Sequence, residues 1–276
     1  GIAGVNDAAW GKQDSAALTK NETAKLVDSV NSMSTVEVTD KNKIALLQQL
    51  SQTRDGTPHY ADFVGGVAGC NGTNGQISWQ AVSDKDAALG AVLYGGSFVG
   101  GVAGYNAPTG ELNRCVSGSW LLVNKSDGIG VGTGGIVGMN ESEKDLSFLL
   151  NRAFVGRQLK QQNTSRFAGG IIGTQSNKTT SDWTIENCIN YGTVYGYLSH
   201  YSGGIVGQWT NNGGTVEDCY NYGNLQTTYA ANWVGASGGI VAQLYHAASG
   251  QDFNIISCQN HGSLYGRHGE NKSNSA

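Results

Sequence analysis

From Phe63 to Gly266 the hydrophobic and polar positions repeat on a fixed grid. A short apolar run ends in Gly-Gly, two β-branched or small apolar residues follow, and a polar or amide residue closes the block. The blocks are "FVGGVAG" from Phe63, "FVGGVAG" from Phe98, "GTGGIVG" from Gly132, "FAGGIIG" from Phe167, "YSGGIVG" from Tyr201 and "ASGGIVA" from Ala236. Their first doublet glycines are Gly65, Gly100, Gly134, Gly169, Gly203 and Gly238, spaced 35, 34, 35, 34 and 35 residues apart. Between them runs a second pattern: "IENCINYGTVYG" at 185–196, "VEDCYNYGNLQ" at 216–226 and "IISCQNHGSLYG" at 255–266, with weaker relatives "LNRCVSG" at 112–118 and "LSFLLNRAFVG" at 146–156. Each unit therefore alternates a Gly-Gly-Ile-Val segment with a Cys-x-Asn-Tyr-Gly segment.

The period alone also suits helical arrays of about 33–34 residues. Composition decides against them, because glycine costs about 1 kcal/mol in a helix interior and β-branched residues several tenths. Strands punctuated by turns are expected instead. Twelve doublet glycines at about 0.5–1 kcal/mol each are a cost comparable with a whole domain's net stability. They must supply either positive φ at a corner or room for another layer of backbone, needs that recur once per coil in a solenoid.

The expected fold is mainly β: a right-handed parallel β-solenoid, or β-helix, of about six coils of 34–35 residues. A six-bladed β-propeller is the alternative. Stacking is favoured by a column six residues past each first doublet glycine: Asn71, Asn106, Asn140, Gln175, Trp209 and Leu244. Four successive amides at one turn position can form a hydrogen-bonded ladder when coils repeat about every 4.8 Å. Asn190, Asn221 and Asn260 form a second such column. Trp209, replacing the amide, is expected to mark where the regular column ends and an exposed aromatic surface begins.

Residues 1–60 lack the doublet and predict an N-terminal helical cap. "NETAKLVDSVNSM" (21–33) and "TDKNKIALLQQLSQ" (39–52) read as amphipathic helices, N-capped by Asn21 and by Thr39 or Asp40. Such a cap shields a solenoid's first edge. The repeat domain is expected over 61–266, with 267–276 a polar tail or linker. The opening Gly1-Ile2-Ala3 reads as a fragment of a larger protein.

Composition narrows the possibilities. Glycine supplies 42 of 276 residues and proline two, which excludes collagen and proline-rich disorder. A formal charge of −4 with no Lys/Arg block argues against nucleic acid. No apolar run approaches the roughly 20 residues needed to cross a bilayer. The five cysteines, Cys70, Cys115, Cys188, Cys219 and Cys258, contain no CxxC, so buried free thiols are expected rather than a metal site.

The "GGIVG", "GGVAG" and "GGIIG" blocks, with "NCINYG", "DCYNYG" and "SCQNHG" between them, resemble the glycine-rich GLUG repeats of bacterial surface proteins over about residues 63–266. That resemblance implies an extracellular, wall-attached, adhesin-like β-solenoid. Similar repeats accompany immunoglobulin-A-directed metallopeptidases, so immunoglobulin is the specific host partner it suggests. It carries no catalytic residue.

Catalytic patterns are scarce. The five histidines include no i, i+4 pair, which excludes an HExxH site, and no G-x-S-x-G elbow exists. Glu186 and Glu217, each two residues before a column cysteine, would be stacked neighbours, and with Asp218 they are the candidate acidic column of a polysaccharide lyase or glycosidase. Neither a cofactor nor a metal is expected, and the chain is read as a non-catalytic monomer. Nine of twelve tyrosines and three of six tryptophans lie between Trp183 and Tyr265, which biases recognition towards the last coils. Trp209, Tyr229, Trp233 and Tyr245, in or beside the loop-like segments 196–202, 225–237 and 243–249, are the candidate ligand-binding residues for a host protein or glycan. A passive spacer is the remaining alternative.

Overall fold

The computed structural model describes residues 3–6, 63–78, 81–82, 92–95, 97–118, 121–124, 132–156, 166–177, 183–197, 201–211, 213–229, 236–245 and 252–268. The chain divides into two compact units, Gly1–Ala8 with Tyr60–Ala276, and Ala9–His59. The second unit, and with it both predicted helices, lies outside the described residues, as does the predicted tail beyond His268. Among the described residues there is no helix.

The repeat unit is a parallel β-solenoid whose five sheets run along the stack. In chain order a coil visits a doublet sheet (Phe63–Gly65 onward), a long sheet (Ala68–Asn71 onward), an acidic sheet (Gln76–Ser78 onward), an asparagine sheet (Ala81–Val82 onward) and a return sheet (Val92–Gly95 onward). Among the described residues each sheet contains six strands except the long sheet, which has seven. Every pairing is parallel and in motif register: Phe63 faces Phe98, Gly134 faces Gly169, and Asn106 faces Asn140. A propeller, whose blades are antiparallel meanders, is excluded by this pairing.

The long sheet gains its seventh strand from Ala3–Asn6, which pairs with Ala68–Asn71 so that Asn6 takes the register position of Asn71. Residues 3–6 thus belong to the solenoid and not to the predicted cap. The sequence carried the signal, since "GIAGVN" at 1–6 repeats "GVAGCN" at 66–71. It was hidden because Ala9–His59 intervenes and breaks the period.

Crowding explains the doublets, and positive φ does not. The described glycines with positive φ are Gly156 and Gly214, neither of them in a doublet. A Cβ on Gly100, Gly134, Gly169 or Gly203 would sit within 3.0 Å of the carbonyl oxygen three residues ahead, on the long strand of the same coil. The second glycine faces inward instead. A Cβ on Gly135, Gly170 or Gly204 would fall within 3.0 Å of the next coil's carbonyl and of the amide carbon of Asn151, Asn190 or Asn221. One glycine makes the corner close, and the other makes room for an asparagine.

Left-handed geometry is placed elsewhere, at the corner joining the acidic and asparagine sheets. Arg114, Phe148, Asn187, Asp218 and Ser257 all have φ between 48° and 55°. Only asparagine and aspartate tolerate this region readily among non-glycine residues. The cost is offset by stacking: the N–H groups of Arg114, Phe148, Asn187 and Asp218 donate to Ser147, Glu186, Glu217 and Ile256 one coil on, at 3.0–3.2 Å. The Arg114 guanidinium also lies 5.3 Å over the Phe148 ring.

With glycine meeting asparagine across the interior, the apolar side chains fall into two clusters. The larger joins Ile136, Ile171 and Ile205 of the doublet turns with Leu112, Leu146, Ile185 and Val216 of the acidic sheet. The smaller joins Leu93, Val155, Val194 and Leu225 of the return sheet with Val99 and Ala168 of the doublet sheet. Cys115, Cys188 and Cys219 are buried in the larger cluster and all five cysteines are free thiols. Hydrogen bonding to the Cys188 thiol, followed by burial, holds the Cys219 thiol well above the usual range. These sulfurs therefore behave as small hydrophobes.

Gly170→Ala is expected to destabilise the protein by at least about 3 kcal/mol, because backbone and amide must both move. Gly266→Ala, at an exposed strand position, should stay within about 1 kcal/mol. Urea unfolding of the two variants checks the contrast.

Candidate functional site

The first amide column is a continuous hydrogen-bonded chain. Asn71 Nδ2 donates to Asn106 Oδ1 at 2.7 Å, Asn106 Nδ2 to Asn140 Oδ1 at 2.7 Å, and Asn140 Nδ2 to Gln175 Oε1 at 2.8 Å. The second column begins one coil earlier than its motif suggested, at Asn151, whose Nδ2 donates to Asn190 Oδ1 at 2.8 Å. Asn190 then donates to Asn221 at 2.8 Å and Asn221 to Asn260 at 2.7 Å. Each of these side chains also bridges its own turn, as Asn190 does with the Gly192 carbonyl at 2.9 Å. Neighbours in this column are 39, 31 and 39 residues apart although the doublets keep their 34–35 period, so loop lengths trade off within the coil.

Trp209 is where expectation and structure part. The indole is 2% exposed and in contact with two rings: it stacks on Trp183 at 4.6 Å and meets Phe253 edge-on at 4.5 Å. The amide column points inward, with Asn71, Asn106, Asn140 and Gln175 all fully buried, so its successor must also point inward. Trp209 is an interior plug and not part of an exposed surface. Gly214 makes room for it, since a Cβ there would lie 2.7 Å from Trp209 Cζ2. Among the described residues the buried Trp183 indole N–H has no hydrogen-bond partner.

The other three proposed binding residues separate from Trp209. Tyr245 is 60% exposed at the end of the last long strand, opposite Thr210 in register, and so projects from the other face of the sheet from Trp209. The backbone of Tyr229 pairs with His268 in the return sheet, and its side chain is outside the described residues. Trp233 is outside them entirely. Segments 196–202, 225–237 and 243–249, read as loops, are partly strand: Val194–Tyr197, Tyr201–Gly203, Leu225–Tyr229, Ala236–Gly238 and Val241–Tyr245.

An exposed aromatic column exists elsewhere, at the residue after Asn190, Asn221 and Asn260. Tyr191, 49% exposed, stacks on Tyr222, 43% exposed, at 5.0 Å and 13°, and Tyr222 stacks on exposed His261 at 4.8 Å and 7°. Half-buried Tyr220 lies on the asparagine sheet before this column, and half-buried Tyr195 and exposed Tyr265 lie on the return sheet after it. The recurring "NYG" and "NHG" carried this signal, because an inward asparagine forces the next ring outward. Around the stack the rings present edges and hydroxyl groups, since their faces are turned on one another.

Glu186 and Glu217 are register partners on adjacent acidic strands and both are half-buried. Their column continues as Ser147 on one side and Ile256 on the other. Among the described residues, no group of three His, Cys, Asp or Glu side chains is placed to hold a metal ion. On the outer face of the long sheet, Tyr105 donates its hydroxyl to Glu141 Oε2 at 2.7 Å. Burial, and then that bond, raise its phenol above the usual range.

Searches for similar proteins find no matching family model, no matching curated protein and no matching solved structure.

Trp209→Ala is expected to cost about 3–5 kcal/mol by opening a cavity between Trp183 and Phe253. Trp183→Phe, which removes an unpaired buried N–H, should cost much less. Thermal unfolding read by near-ultraviolet circular dichroism, where the stacked indoles dominate, distinguishes the two.

Proposed function

We propose that the chain is a non-catalytic, extracellular binding module of a bacterial cell-surface protein, a right-handed solenoid of six coils with an N-terminal helical cap, that recognises a host protein. The observation that carries the reading is the exposed Tyr191–Tyr222–His261 stack. Tyrosines held rigid by stacking offer amphipathic contact area at small entropic cost, as recognition surfaces require. A protein ligand suits them better than a glycan, because the middle ring, Tyr222, has both faces covered by Tyr191 and His261 and the stack offers chiefly edges and hydroxyl groups. The repeat's resemblance to GLUG-type surface proteins supports the cell-surface setting and points to immunoglobulin. Right-handedness follows the general rule for parallel crossovers, and the repeating doublets support the coil number.

Glu186 and Glu217 support a second reading, since adjacency in register is what a carboxylate pair for sugar cleavage needs. Polysaccharide cleavage that is lost in Glu217→Gln would establish that reading over the first.

Serum-protein and glycan arrays probed with the whole chain test the binding module. A protein ligand is expected, with affinity lowered about tenfold or more in Tyr191→Ala/Tyr222→Ala. Binding only to glycans, or undiminished binding by the double variant, contradicts the choice of surface. No binding to either array leaves the spacer role in its place.

A further inference from the structure

The left-handed corners of the five coils allow a comparison within one molecule. Arg114, Asn187, Asp218 and Ser257 fill the position on four of them, so polar side chains of either charge or none satisfy the turn. On the fifth it holds Phe148, at φ 55° and 49% exposed. A bulky residue in that region carries a steric cost, and a half-exposed ring recovers little of it by burial. The fold does not call for phenylalanine here, so the outlier points to a role outside the fold.

The same coil supplies a second exception, four residues on. Arg152, Tyr191, Tyr222 and His261 donate their N–H groups to the carbonyls of Ser117, Asn151, Asn190 and Asn221, at 2.7–2.8 Å. Arg152 is therefore the member of the exterior column that precedes the aromatic stack. It is exposed, and among the described residues its guanidinium has no carboxylate, carbonyl or ring partner. Between Phe148 and Arg152 lies half-buried Leu150, in register with half-buried Ile189. The strands Leu150–Asn151 and Ile189–Asn190 are paired on both sides, so this apolar face belongs to the flank of the stack and not to its ends.

Charge divides the face along the stack. In the corresponding stretches 113–118 and 147–152 the charged residues are Arg114 and Arg152, whereas in 186–191 and 217–222 they are Glu186, Glu217 and Asp218. Asp145, just ahead of the Phe148 corner, is engaged by the Thr184 N–H at 2.8 Å. The Phe148 end of the face is thus positive and the Tyr222 end negative, with apolar and aromatic side chains running between.

We infer that the ligand surface extends from the Tyr191–Tyr222 stack to Phe148 and Arg152, and that it takes a protein segment in which acidic residues accompany apolar or aromatic ones. A ligand carboxylate accepts from the Arg152 guanidinium, a pairing whose planar geometry gives both strength and direction. Apolar side chains of the segment pack on Phe148 and Leu150. Its acidic end lies over the two arginines, because the reverse placement sets it against Glu217 and Asp218. This inference rests on the reading of the exterior stack as a binding surface, and it adds the chemical class of what binds there.

The probe is poly(Glu,Tyr), a labelled random copolymer of glutamate and tyrosine, titrated into the whole chain by fluorescence anisotropy with poly(Lys,Tyr) beside it. The formal charge of −4 works against non-specific uptake of a polyanion. Saturable binding of poly(Glu,Tyr) is expected, weakening as salt is raised, and lowered about tenfold or more by Arg152→Glu and by Phe148→Ser. Serine already occupies the equivalent corner at Ser257, so the second variant keeps the turn, and near-ultraviolet circular dichroism of the Trp183–Trp209 stack verifies that both are folded. Preference for poly(Lys,Tyr), no binding of poly(Glu,Tyr), or binding that either variant leaves undiminished would each overturn the inference. Copolymer binding that needs Arg152 and Phe148, together with a blank serum-protein array, would sink the host-protein reading alone. Array binding weakened by Tyr191→Ala/Tyr222→Ala but not by Arg152→Glu would sink this inference alone.

Discussion

The structure depends on one contact, that of the second doublet glycine with a buried asparagine. Gly135, Gly170 and Gly204 leave no space for a Cβ because the next coil's carbonyl and the amides of Asn151, Asn190 and Asn221 occupy it. A buried amide is tolerable only when its donors and acceptors are satisfied. The stack provides that: each asparagine closes its own turn and passes one hydrogen to the next coil. The asparagine therefore requires the glycine. Removing the glycine displaces the amide, and removing the amide leaves a void and an unpaired turn.

Several features that looked separate follow from this contact. Bringing the doublet and asparagine sheets together across the interior leaves apolar groups in two clusters and not one. An inward asparagine turns the next residue outward, which is why Tyr191, Tyr222 and His261 form an exterior column. In the parallel amide column, Trp209 inherits the inward direction and becomes core. The same directionality runs through Asn221 to Asn260, the last described amide of the ladder.

Much of this was legible in the sequence. The spacing of the doublets gave the strand register to the residue, and Asn71, Asn106, Asn140 and Gln175 were readable as a ladder because stacking places like on like. The purpose of the glycines was only half readable: close approach and positive φ both call for glycine, and only coordinates separate them. The left-handed corners at Arg114, Phe148 and Ser257 had no signal, since none of those residue types favours that region. The exposure of Trp209 was misjudged because its size and chemistry outweighed its position in an inward column. Ala3–Asn6 was missed because the inserted unit interrupts the period.

The central claim is that the asparagine amides are structural members of the stack, hydrogen-bonded from coil to coil. Solvent exchange of their side-chain NH2 groups, followed by nuclear magnetic resonance, tests it most directly. The account predicts that the Nδ2 hydrogens of Asn190 and Asn221 are protected to the same degree as the neighbouring backbone amides. Fast exchange of both side chains in a folded protein would contradict it.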